Sequence, residues 1–169
     1  MKDLSERTRE ELERYIEFML WQYRVVDGYW FMAVEDEYGL EAAVKLNEKI
    51  WGRIGARAAR DIKERFKIEG EGVSSVMEAL SYFPWSLITK FEVEKSEGGV
   101  VLRVPSCPPQ EARVRLERGE FPCKPMQIAE FSGFAKEIDE RVEVICRYAP
   151  PDPHPKDVWC EWEFRLKKS

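Results

Sequence analysis

Four cysteines, Cys107, Cys123, Cys146 and Cys160, are the side chains of this sequence best suited to chemistry, and all lie in its C-terminal half. They stand 16, 23 and 14 positions apart, so no Cys-x-x-Cys knuckle marks a zinc ribbon and the spacing fits no ferredoxin pattern. Cys107 and Cys123 each precede a proline-started helix, in Cys107-Pro-Pro and Cys123-Lys-Pro. A thiolate there would face unpaired backbone N–H groups and the positive end of a helix dipole, which lowers its pKa and suits it to metal binding or nucleophilic attack. Cys146 and Cys160 fall on alternating strands, and pairing Tyr148 with Val158 would set them directly opposite each other. Three readings stay open: a thiolate centre for a metal, zinc before iron–sulfur; small core hydrophobes; or disulfides.

Other groups could serve such a site. His154, the only histidine, lies in the loop between the last two cysteines, where it would suit a ligand or an acid/base role or simply face solvent. Glu143 shares a strand with Cys146 and could move protons or lie on an exposed face. Asp27 and Asn47 are polar residues set among apolar helix positions, and Trp30 and Arg113 join them as candidates for holding a small organic molecule, Arg113 through a carboxylate. The six tryptophans lie mostly on apolar stripes, which core packing also explains.

These residues need elements to position them. Leu12, Tyr15, Ile16, Met19, Leu20 and Tyr23 recur at helical spacing behind a Thr8-x-x-Glu11 capping box, and the pattern continues to Gly39 with a kink or break expected at Asp27-Gly28. A second helix is predicted from about residue 41 to 67, with Gly52 and Gly55 marking close helix contact. Ser75-x-x-Glu78 opens a short third helix, which Pro84 ends. The period then changes to two: Thr89, Phe91 and Val93 alternate with charges, Ser96-Glu97-Gly98-Gly99 turns the chain, and Leu102 and Val104 return on the same face. Helices from Pro108 to Gly119 and from about Pro125 to Ile138 follow, then strands 141–148 and 158–166 around the proline-rich loop APPDPHPKD. The sum is an α+β fold in one domain, 1–169. A helical half, 1–84, packs on a half, 85–169, holding a four-stranded antiparallel sheet of two hairpins with two intervening helices. If the second strand of the first hairpin runs with the strand carrying Cys146, then Cys107, Cys146 and Cys160 share one edge of the sheet.

Glu143-Val-Ile-Cys146 followed by Cys160-Glu-Trp-Glu-Phe164 resembles the end of 4-vinyl-reductase-type sensor domains. That resemblance implies zinc beside a small-molecule pocket, held by Cys123, Glu143, Cys146 and Cys160, with Cys107 outside the set. Over nearly its whole length the chain also looks like a prokaryotic family related to L-2-amino-thiazoline-4-carboxylate hydrolase. The residues that carry this are Asp27-Gly-Tyr-Trp30-Phe, Tyr38-Gly-Leu-Glu41, Cys107-Pro-Pro-Gln-Glu-Ala-Arg113, Phe121-Pro-Cys123-Lys-Pro and Pro150-Pro-Asp-Pro-His154-Pro. A hydrolase of small cyclic C–N compounds would use Cys107 or a metal-bound water as nucleophile, with Glu143 or His154 moving protons.

The composition narrows the setting. A net charge of −5 removes the global basic footprint of a nucleic-acid binder, and Arg53, Arg57, Arg60, Lys63 and Arg65 read as a solvated helix face. The N-terminus has no apolar leader and no run of about 18 apolar residues occurs. The expected setting is therefore cytoplasmic, without nucleic-acid or membrane partners; a homodimer stays open. One Asn, three Gln and 35% charged residues match proteins from hot environments. The expectation is a small-molecule-binding, sensor-like module with a zinc-thiolate site. The alternatives are the hydrolase and a disulfide-stabilised interaction protein.

Overall fold

The computed structural model describes residues 3–168. A short 3-10 turn, Leu4–Glu6, leads into α1, Arg9–Tyr38. The expected capping box forms: the Thr8 hydroxyl accepts from the Glu11 N–H and the Glu11 carboxylate accepts from the Thr8 N–H at 2.9 Å. The helix does not break at Asp27-Gly28, because one glycine in a helix interior costs only about 1 kcal/mol and thirty residues of ladder carry across it. It ends at Gly39, whose φ of +85° is a conformation glycine adopts freely, and α2, Leu40–Phe66, starts at once.

The third helix, α3 (Gly72–Ser81), begins three residues before Ser75. Ser75 does not cap it. The Gly72 N–H is satisfied from outside by the Asp139 carboxylate at 2.6 Å, while the Ser75 hydroxyl donates to the Glu71 carbonyl. Pro84 starts a helix rather than only ending one: it is the first residue of α4, Pro84–Ile88, where its missing N–H costs nothing.

Strands β1 (Lys90–Ser96) and β2 (Gly99–Ser106) form the expected hairpin around Glu97-Gly98. Helices α5 (Pro108–Arg115) and α6 (Lys124–Ile138) lead to β3 (Val142–Tyr148) and β4 (Cys160–Leu166). The sheet order is β1-β2-β4-β3, antiparallel throughout. Strands β2 and β3 both run opposite to β4 and therefore in the same direction, the arrangement that brings the cysteine ends to one edge.

The β3–β4 register differs from expectation by a bulge. Tyr148 pairs with Glu161 rather than Val158, and Cys146 lies opposite Trp162, so Cys146 and Cys160 are not direct partners. The longer loop is stitched elsewhere, with the Trp159 N–H donating to the Val104 carbonyl at 2.8 Å, which leaves Cys160 opposite Val104 on β2.

Leu102, Val104, Val142, Trp162 and Phe164 pack against Phe131, Phe134 and Ala135 of α6 and against Val76, Leu80 and Phe83. Helix α2 lies on the other side of α6 at close range. A Cβ on Gly55 would meet the Glu130 carbonyl oxygen at 2.5 Å, and one on Gly52 would touch Ala129 at 3.1 Å. These are the glycines expected at helix contact, and they bring Glu130 against α2. In contrast, α1 has no buried residue, and Trp30 is 70% exposed.

Candidate functional site

Where α1 and α2 lean over one end of the sheet they leave a cavity of about 580 Å³. Phe31 of α1, Trp51 of α2, Trp85 of α4 and Phe91 of β1 form apolar walls, and the inner sheet face closes it with Val104 and Trp162. Helices α5 and α6 supply a polar side. Space of this size suits a small organic guest, and few polar groups set among aromatics are what orient one.

The polar groups fall into two sets. Toward α1 and α2 lie Asp27, Asn47 and Glu130. Glu130 is 4% exposed; its Oε2 accepts from Gln127 Nε2 at 2.8 Å, whereas its Oε1 is buried with no hydrogen-bond partner. Burial, reinforced by the charge of Asp27 and opposed by the Gln127 amide, pushes the Glu130 carboxyl up to about 8. Asp27 rises to about 6 through burial, against the stabilising Trp51 indole. The neighbouring Tyr23 phenol is pushed above its ordinary value by burial and then by both acids. Tyr23, Trp51 and Trp85 pack edge to face or tilted, 5.8–6.1 Å between ring centres, and hold this corner dry.

Toward α5 and α6 lie Cys107, Cys123 and Cys160. All four cysteines are free thiols, so the disulfides weighed as an alternative do not form here. Cys107, Cys123 and Cys160 line the same cavity, and a charge on Cys160 would be opposed by Cys123, Cys107 and Cys146. The lowered pKa expected from the helix N-termini does not appear. Burial pushes Cys107 up to about 12 against the opposing Gln110 N–H, and Cys123 up to about 11 although the Gln110 amide donates to its sulfur at 3.4 Å. Cys146 rises to about 11, chiefly through burial, and Cys160 rises further. Desolvation outweighs the dipole, and the four stay thiols at neutral pH.

The zinc set implied by the resemblance does not assemble. Val142, Val144 and Cys146 face the helices, so the alternation of the strand turns Glu143 to the other side, where its carboxylate accepts from Arg165 Nε at 2.8 Å. Among the described residues no group of three or more His, Cys, Asp and Glu could hold a metal ion.

The remaining candidates are placed as follows. Arg113 lines the cavity but is already committed: its guanidinium pairs with Glu35, donates to the carbonyls of Gly119 and Arg118, and lies over Phe31 and Phe121. Asp27 and Asn47 are in the wall, whereas Trp30 points outward. His154 braces its loop, with Nδ1 near the carbonyls of Pro155 and Val158 at 2.8 and 3.1 Å and Nε2 3.3 Å from Glu120. Burial opposes its charging, but those carbonyls and Glu120 together raise its pKa. Cys107, Glu143 and His154 therefore do not meet as a catalytic set.

Two buried groups escape the sequence reading. Gln110, wholly buried, donates to the Phe121 carbonyl and accepts from the Phe121 N–H, fixing the segment that carries Cys123. Glu130 carried a legible signal, a glutamate four residues from both Met126 and Phe134 on an apolar stripe.

The chain belongs to a family of unknown function, DUF6125, whose model matches residues 5–166. No curated protein matches it. Among solved structures it is similar to the phenol-responsive sensory domain of the transcription activator PoxR with phenol. That likeness has 13% identity and a TM-score of 0.57, over 82% of this chain and 72% of that one. It is also similar to a trafficking protein particle complex subunit 3 from Naegleria fowleri covalently bound to palmitic acid, at 12% identity and a TM-score of 0.54, over 92% and 97%. At these identities the likeness is one of fold. No helix among the described residues is long and apolar enough to cross a membrane.

Proposed function

We propose that this protein is a small-molecule-binding module of sensor type, its guest held in the cavity between α1, α2, α6 and the sheet. The observation that carries this reading is the cavity itself, about 580 Å³ walled by Phe31, Trp51, Trp85 and Trp162, with the buried Glu130, one carboxyl oxygen of which has no partner, among its lining residues. A concave space of this size, mostly apolar with a few convergent polar groups, is where small-molecule sites are ordinarily found. The likeness of fold to a domain that responds to phenol, and to one covalently bound to palmitic acid, supports an apolar guest.

A sensor must change something when it fills. Helix α1 is the element positioned to respond: it lines the cavity with Asp27, Gly28 and Phe31, yet buries no residue fully. An occupant adds contacts that α1 lacks and so shifts its packing toward the bound arrangement. Neither a metal-dependent nor a hydrolytic reading has comparable support, because Glu143 and His154 stand outside the cavity.

The test is a titration of the tryptophan fluorescence with phenol, other small aromatic compounds and palmitate. A saturable change at one molecule per chain, weakened by filling the cavity with Asn47→Phe, is the expected result. No binding by any probe, with an unaltered thermal midpoint, would overturn the proposal.

A further inference from the structure

We infer that the cavity selects an organic cation, an apolar body bearing a protonated nitrogen such as an amine or amidine, whose N–H groups pair with the carboxylates of Glu130 and Asp27. This rests on the small-molecule reading above and deepens it.

Three observations converge. Glu130 is 4% exposed, lines the cavity and has an oxygen with no partner, whereas a buried carboxyl oxygen ordinarily finds a donor. Asp27 lines the same space from α1 and is close enough for its charge to act on Glu130. The influences on this pair are burial, the Asp27 charge, the Gln127 amide and the Trp51 indole, and none is a lysine or arginine. Elsewhere the chain matches its buried acids with cations, Glu161 with Arg103 and Arg147 and Asp139 with Arg141. The cavity pair is the exception, and the missing positive charge is the guest's to supply. A neutral hydroxyl could meet the Glu130 carboxyl but would leave the largely ionised Asp27 without a counter-charge in apolar surroundings.

The other groups around the pair do not supply that charge. On α1, Tyr23 stays a neutral phenol, and Arg24 lines the cavity without appearing among the influences on either acid. On α5, Arg113 is bound to Glu35, Glu111 accepts from Ser106 and the Cys107 N–H, and Arg115 lies in the wall near them. Helix α2 offers only neutral Asn47 and Trp51, α4 only Trp85, and the thiols of Cys107, Cys123 and Cys160 remain protonated.

Docking a cation on protonated acids releases their protons. Glu130, pushed up to about 8, is mostly protonated at pH 7 and must ionise to pair with the guest, while Asp27, at about 6, is mostly ionised there. Cation affinity therefore increases with pH up to about 8 and then levels.

Calorimetric titration of the intact protein with matched probes, benzamidine against benzamide and phenethylamine against phenethyl alcohol, tests this. Buffers of different ionisation heat count the protons released. The cations are expected to bind more tightly at pH 8, to weaken about tenfold per pH unit toward pH 6, and to release close to one proton per molecule at pH 7. The neutral probes should show no such slope, and Glu130→Gln should remove the slope for the cations between pH 7 and 8, leaving only the part near pH 6 that belongs to Asp27. If that variant does not fold, the proton count on the native protein decides. Neutral probes binding as well as cations at pH 8, or cation binding with no proton release, overturns the cation inference and leaves the small-molecule reading standing. No binding by any of these probes, or by phenol and palmitate, overturns both.

Discussion

Glu161 and Glu130 are almost equally buried, at 8% and 4% exposure, yet one is held ionised and the other protonated. Glu161 lies on the outer face of the sheet. Its burial opposes ionisation, but Arg147 at 2.7 Å and Arg103 at 2.6 Å overcome that and hold the carboxyl below its usual range. Glu130 lies on the inner side among aromatics, and burial takes it up to about 8. Burial alone therefore does not set charge in this protein; the partner does. The outer face is a ladder of matched charges, Glu94, Arg103, Glu161, Arg147 and Glu163, while the inner corner keeps its acids unmatched beside a space. The first arrangement closes on itself. The second is completed only by something added.

The largest disruption of this contrast removes the wall between the two faces. Trp162 is fully buried, lines the cavity and meets Phe131 edge to face at 5.4 Å. Trp162→Ala should cost about 3–5 kcal/mol in urea unfolding. Water admitted beside Glu130 should also bring its pKa down toward an ordinary carboxyl, followed by carbon-detected NMR titration. A Glu130 that still titrates near 8 in this variant would mean that burial by the tryptophan wall is not the cause.

Glu130→Gln tests the inner acid directly. In the unfolded chain Glu130 loses its proton near the ordinary carboxyl pKa, whereas in the folded chain it keeps it to about 8. Over that window the unfolded state binds fewer protons, so the native protein loses stability as pH rises, and the loss levels off above pH 8. The glutamine, which can still accept from Gln127, carries no such loss. The variant should match the parent near pH 4 and exceed it by on the order of 3 kcal/mol at pH 7, measured by urea unfolding across that range. A pH-independent difference would contradict the assignment. Gain of stability with loss of cation preference is the signature of a residue retained for its site.

How much of this contrast was legible depends on how local its cause is. The helices, the first hairpin and the alternation that sends Glu143 and Cys146 to opposite faces follow from spacing, and the capping box forms as its residues suggest. The clustering of the cysteines was readable as a condition on strand direction, which the order β1-β2-β4-β3 meets. Their protonation was not readable, because a helix N-terminus is visible in Cys107-Pro-Pro but the depth of burial that outweighs it depends on α1 and the sheet closing over it. The bulge before Tyr148 likewise depends on Trp159 finding Val104. Glu130 was visible as an acid on an apolar stripe, yet that no basic side chain reaches it is a property of tertiary packing.

Helix contact offers a smaller test, since Gly55 sets the position of Glu130. Gly55→Ala places a methyl 2.5 Å from the Glu130 carbonyl oxygen, with backbone atoms behind it that cannot rotate away. It should lower stability by about 1–3 kcal/mol and weaken ligand binding, as α6 is pushed from α2. Gly28→Ala is the control. Nothing lies within 4 Å of that site on the continuous α1, so alanine there should stabilise by about 0.4–1 kcal/mol. Thermal unfolding of the two variants should move in opposite directions.

The smallest effect is expected on the outer face. Glu161→Gln keeps an acceptor oxygen between Arg103 and Arg147 and removes only the charge, while Glu163 continues to receive Arg147 and Arg165. Both arginines are at the sheet surface, where water and ions screen the loss, so the change should cost no more than about 1 kcal/mol at neutral pH. Its pH dependence has the opposite sign to that of Glu130. Because the folded pKa of Glu161 is below the unfolded one, its contribution is present above the ordinary carboxyl range and lost as pH falls through it. Parent and variant should therefore converge at low pH and differ at pH 7, with the difference shrinking in high salt. Urea unfolding of Glu161→Gln and Glu130→Gln side by side would show two glutamines of similar depth moving stability in opposite directions at pH 7, the sign set by which acid had a cation to lose.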